Sequence, residues 1–226
     1  MSRRDAIGRR LRERGPWLAL ELLIPPLLIA LRVAGVIRNP SLLILLVAQV
    51  SLWLRRSGWR DLGLRAPGSW RRTILLAIGI GIAYDLVDIF ALVPALQALT
   101  GQKLRLDQVG DLSGNPMMLV YFLVLTWTLA AFGEELAYRG YVLNRIADGL
   151  GRSRAAFVAG AIGVSILFGF AHKAQGIVGI ADNMLAGALF ASLYLASGRN
   201  LWLPMLVHGV IDTTSFVLLY LGFWPK

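Results

Sequence analysis

Apolar residues run in blocks of membrane length along nearly the whole chain, and short polar stretches separate them. The blocks fall at about 17–36, 40–54, 73–97, 116–147, 154–172, 177–196 and 200–222, and each predicts a helix that crosses or enters a bilayer. The expected fold is therefore all-α: a polytopic membrane bundle of about seven helices. The second block is short, so it tilts little or stops before a full crossing. "IPPL" in the middle of the first predicts a kink there. The polar stretches at the N-terminus and around 55–72 are too short to bury a core. Residues 1–226 are thus expected to form a single membrane domain, with 1–16 a basic cytosolic segment.

Composition strengthens this picture. Hydrophobic residues make up 57% of the 226, where soluble domains hold about 45–50%, and the mean hydropathy is +0.64. A net charge of +10 would suggest nucleic acid in a soluble chain. Here it reads instead as topology and contact with anionic lipids, with no nucleic-acid partner. With the N-terminus inside, the inner segments hold Arg3, Arg4, Arg9, Arg10, Arg12, Arg14, Arg55, Arg56, Arg60, Arg65, Arg71, Arg72, Arg139, Arg145, Arg152, Arg154 and Arg199. Outside fall only Arg38, Lys103, Arg105, Lys173 and Lys226. That asymmetry predicts a cytoplasmic N-terminus. "MSRRD" carries a twin arginine, but the first apolar block, with Glu21, Pro25, Pro26 and Arg32 and no small-residue cleavage site, reads as a retained helix. There are no cysteines, which excludes disulfides, thiol catalysis and cysteine-ligated metal.

An ionisable side chain inside a bilayer is costly, so each one is a functional candidate. "LAAFGEELAYRGYV" follows a long apolar run with Glu134 and Glu135. Glu135 and Arg139 are four apart and share a helix face, whereas Glu134 is turned by about 100°. His172 ends "ILFGFAH", with Phe168 four residues before it. His208 and Asp212, in "LPMLVHGVID", also share a face, and Pro204 is expected to kink the helix just before them. Both histidines of the chain therefore sit in blocks that can face carboxylates.

These three stretches resemble the motifs E-E-x-x-x-R, F-x-x-x-H and H-x-x-x-N/D of the CAAX-protease and bacteriocin-processing (Abi) family of intramembrane endopeptidases, in the same order. "GEELAYRGYVLNR" and "LFGFAH" are similar to the family's flanking words, and "DLGLR" (Asp61 to Arg65) adds a fainter likeness. The resemblance implies that helices 116–222 are catalytic. It gives Glu134 and His172 the activation of a water for attack on a peptide carbonyl. His208 and Asp212 would stabilise the oxyanion or position the water, with Glu135, Arg139 and Phe168 in support. The substrate would be a membrane-associated peptide or protein, and the location a bacterial inner membrane. Asp212 stands where many members have Asn; an ionised Asp cannot donate a hydrogen bond.

Glu134, His172 and His208 could in principle hold a zinc ion with an open position for water. The same residues serve a metal-free reaction, which the reading favours, with no cofactor required. Counted from the cytosolic ends of their helices, His208 lies about 12 Å deep and His172 about 27 Å. Straight, upright helices would keep them apart.

Asp85 and Asp88, three apart in "AYDLVD", are expected to line the cavity or cap polar contacts. An aspartyl-protease reading would need G-x-G-D elsewhere, and "QVGD" does not supply it. The other class of function is a non-catalytic scaffold or transport component. Glu21 and Arg32, on one helix face, would then line a polar path with Asp85, Asp88 and Asp182.

Overall fold

The computed structural model describes residues 15–223. The basic segment expected at 1–16, apart from its last two residues, lies outside them, and so does Lys226. Among the described residues the secondary structure is entirely helical. Seven long helices follow one another: α1 (Pro16–Val33), α2 (Pro40–Arg55), α3 (Trp70–Thr100), α4 (Pro116–Gly149), α5 (Arg154–Ala171), α6 (Gly176–Ala196) and α7 (Trp202–Tyr220). Six are long and apolar enough to cross a membrane; α2, with 16 residues, is the short one.

The helix starts are written locally. Asn39, Ser69, Asn115 and Ser153 each accept a hydrogen bond from a backbone N–H in the first turn that follows, satisfying a donor the helix leaves unpaired. Pro40 and Pro116 come next after two of these caps, where a missing N–H costs nothing. Pro204 also falls in the first turn of its helix. The expected break before His208 is therefore replaced by an ordinary proline start. α1 runs as one continuous helix through Pro25 and Pro26.

Two helices depart from α geometry. In α3, Asp88–Leu92 is a π-helical turn, and in α4 Thr126–Glu134 and Leu136–Val142 are π-helical. Such i→i+5 stretches are rare and tend to occur at functional sites.

α4 is the axis of the bundle. Every residue from Glu135 to Arg145 is buried, enclosed by α1, α2, α5, α6 and α7. α3 lies outside, packed along α7 and, through its last turns, on α6. Leu23, Leu27, Leu46, Phe90 and Ile162 are exposed on the bundle surface. An apolar outside around a core that holds Glu135 and Arg139 is what a lipid solvent selects.

The connections gather at two ends. At the arginine-rich end, Leu201 N–H donates to Gly63 O (3.1 Å), Arg65 Nη2 to Gly198 O (2.9 Å) and Asn200 Nδ2 to Arg65 O (2.8 Å). Gly63 has φ +111°, and a Cβ there would collide with Arg199 O, which explains the glycine of "DLGLR". At the other end Arg32 Nε donates to Ala171 O (3.3 Å), Lys173 Nζ to Val33 O (2.6 Å) and Arg105 N–H to Gln175 O (3.1 Å).

Candidate active site

Phe168 stands at the centre of the motif residues. Its ring lies 4.7 Å from that of His172, 6.0 Å from that of His208 and 4.6 Å from the Arg139 guanidinium carbon. By helical rise Phe168 is about 21 Å along α5 and His208 about 9 Å along α7. Their contact therefore requires α5 to be tilted, or to start at a different level, by about 12 Å of reach. The three motifs do come together.

Glu135 and Arg139 form the buried base of the site, neither with any exposed surface. Glu135 Oε1 accepts from Arg139 Nη1 at 2.8 Å and from His208 Nδ1 at 3.1 Å. Arg139 Nη2 donates onward to Gly187 O at 3.0 Å. The expected Glu135–Arg139 pair is thus one half of a three-residue link. Sequence gave no signal for the other half, since it joins residues 73 apart.

His208 is held between rings, stacked on Phe190 at 4.5 Å with 17° between the planes. Its Nε2 faces Asp212 Oδ1 at 3.7 Å, an ion-pair distance rather than a hydrogen bond. Asp212 Oδ2 accepts from Thr126 Oγ1 at 3.3 Å. Asp212 thus acts as an acceptor.

His172 follows the last residue of α5, and its Nδ1 lies 2.8 Å from Phe168 O. A carbonyl can only accept, so Nδ1 carries a proton, and in the neutral ring the free lone pair is on Nε2. Glu134 turns away from Glu135 as expected. Its Oε1 accepts from Ser41 Oγ at 3.2 Å. Ser41, buried at the start of α2, was not legible as a site residue; in "NPSLLI" it reads only as part of a helix start.

Glu134, His172, His208 and Asp212 line one cavity of about 320 Å³, whose wall includes Leu104, Arg105, Leu106, Gln108 and Val109 of the loop between α3 and α4. Glu134 and His172 also border a second cavity of about 140 Å³ beside Arg38 and Asn39. Asp85, Asp88 and Asp182 line the first cavity too. Glu21 does not: it accepts from Ser51 and Arg55 between α1 and α2. Arg32 binds Ala171 O at the opposite end. Glu21 therefore does not join the aspartates in one polar path, whereas Arg32 lines the second cavity, which shares Glu134 and His172 with the first.

No group of three or more His, Asp or Glu side chains among the described residues is placed to hold a metal ion. The expected set Glu134, His172 and His208 does not form such a group in this arrangement. His208 directs Nδ1 to Glu135, and Glu134 is engaged by Ser41.

Residues 116–214, which include every motif residue, match the family model described as type II CAAX prenyl endopeptidase Rce1-like. No curated protein and no solved structure matches the chain. The chain is an integral membrane protein, and its residues 116–214, which carry the three motifs, are similar to the CAAX-type prenyl endopeptidases that this family model describes.

Proposed function

We propose that the protein is an endopeptidase that hydrolyses a peptide bond of a membrane-associated peptide or protein with a water activated by Glu134 and His172. The observation that carries this reading is the shared cavity of Glu134, His172, His208 and Asp212. Glu134 takes a proton from the water, and His172, through Nε2, holds and orients it for attack. The carbonyl becomes a tetrahedral oxyanion in a site of low dielectric, where a fixed donor is most effective. His208 supplies that donor from Nε2: carboxylates beside both nitrogens favour the protonated ring, its Nδ1–H is taken by Glu135, and Asp212, 3.7 Å from Nε2, does not hold the second N–H in a hydrogen bond. The proton on Glu134 then passes to the leaving amine as the C–N bond breaks. This sequence needs no metal and gives Asp212 an acceptor role that Asn would fill equally through its carbonyl oxygen.

In the membrane, the arginine-rich end lies in the cytosol, and anionic lipids contact it. Loop 101–115, which walls the cavity, then faces the opposite side, and the substrate is reached from there.

The test is cleavage of quenched peptides by the purified protein in detergent or vesicles. Glu134→Gln and His172→Ala should each lower kcat by about 10²–10⁴ without loss of folded protein. Wild-type rates in either variant would remove the assignment. The wild-type rate should also withstand a strong chelator; loss of it with recovery on adding zinc would replace the metal-free route.

A further inference from the structure

Three carboxyl groups in the same cavity take no part in the steps above. Asp85 and Asp88 come from α3, at the point where its π turn begins, and Asp182 comes from α6. Asp85 is 1% exposed; its Oδ1 accepts from Ser215 Oγ at 2.5 Å, and its Oδ2 has no partner. Asp88 is buried and its Oδ1 is unpartnered, as is Oδ1 of Asp182. The side chains of Asp88 and Asp182 meet one another, and the hydroxyl of Tyr84 beside them has no partner. Arg105, which lines this cavity, is already held by Asp107 at 2.8 and 3.1 Å.

Buried carboxyl oxygens without partners are costly, and more so between membrane helices. Their unused acceptors all belong to groups that line a cavity continuous with Glu134 and His172. A cation that arrives through the cavity would supply the donors these oxygens lack. A bare metal ion fits poorly, because among the described residues no three carboxyl or imidazole groups are close enough to hold one. Spread acceptors suit a cation with several donors of its own, a guanidinium with five N–H groups or an ammonium with three.

We propose that Asp85, Asp88 and Asp182 form an acidic subsite that binds an arginine or lysine side chain of the substrate, near the bond to be cut. This deepens the hydrolytic reading and rests on it only for the word substrate. An extended peptide advances about 3.3 Å per residue, so the basic residue sits within a few positions of the scissile bond.

The test separates binding from cleavage. Fluorescein-labelled decapeptide pools, each with one position fixed as arginine or as its neutral isostere citrulline, are titrated against Glu134→Gln protein by anisotropy. At one or two positions the arginine pool should bind at least 10-fold more tightly. Adding Asp85→Asn and Asp182→Asn should remove that difference. A second measurement uses Nα-acetyl-arginine methylamide and its citrulline analogue on the wild-type protein, where only the cationic compound should raise Tm. Equal binding of both pools, a preference that survives the asparagine variants, or a Tm unmoved by the cationic compound would each overturn the subsite. So would displacement of the arginine preference by millimolar calcium, which would make the cluster a metal site. If arginine binds as expected but wild-type protein cuts none of the pools, the subsite stands and the hydrolytic reading fails.

Discussion

Glu135 Oε1 is one atom with two donors, Arg139 Nη1 and His208 Nδ1. Removing Arg139 leaves a carboxylate buried with a single neutral or shared partner, and breaking such a pair costs about 3–5 kcal/mol. Arg139→Leu should therefore lower Tm sharply and reduce activity with it, read by thermal unfolding beside the cleavage assay. Glu135→Gln keeps the shape and one acceptor; it should retain more stability than Arg139→Leu yet still lose activity, because Arg139 and His208 then compete for a weaker oxygen. Equal stability of all three proteins would mean that the link carries no load. Ser41→Ala should be milder: loss of one hydrogen bond to Glu134, worth about 1 kcal/mol, corresponds to roughly a fivefold fall in kcat with Tm almost unchanged. The motif residues were legible because bilayers make every buried charge conspicuous. Ser41 and Thr126 were not, because a hydroxyl in an apolar helix costs little and so draws no attention.

At the level of elements, hydropathy located all seven helices, and the observed bounds differ from the expected ones by a few residues. The π-helical stretches at 88–92, 126–134 and 136–142 had no counterpart in the pattern. The same holds for Gly209, next to His208. A Cβ at this position would come within 2.5 Å of the Trp127 ring, so glycine here is what lets α7 close on the π stretch of α4. Gly209→Ala should displace His208 and cut activity at least 10-fold. Pairing it with Trp127→Leu should recover much of the loss, since the smaller side chain yields the space. Failure of the double variant to improve on Gly209→Ala would show that the ring is not what the glycine accommodates.

For the whole molecule, the proposed orientation rests on charge, and the hydrogen-bonded clustering of loops defines which residues share an end. The chain lacks cysteine, so single cysteines can report topology directly. In intact cells, Gln102→Cys should react with a membrane-impermeant maleimide, whereas Arg60→Cys should react only after permeabilisation. The reverse pattern would place the cavity wall at 104–109 on the cytosolic side and make the substrate a cytosolic one. How helices of different depth could share a site was not legible along the sequence, because tilt and offset are set by packing between helices and leave no periodic trace.

Phe168 touches both imidazoles, and its ring is a hydrocarbon spacer between them. His172 spends Nδ1 on the Phe168 carbonyl, and His208 spends Nδ1 on Glu135. Each histidine thus keeps one nitrogen for the cavity and has no bonded relay to the other. A proton gained on the His172 side can leave only with product or through water. In the proposed mechanism the site is accordingly reset by rewetting after each cut, and a bilayer or detergent whose acyl chains fill the cavity should arrest cleavage after a single turnover rather than slow it evenly.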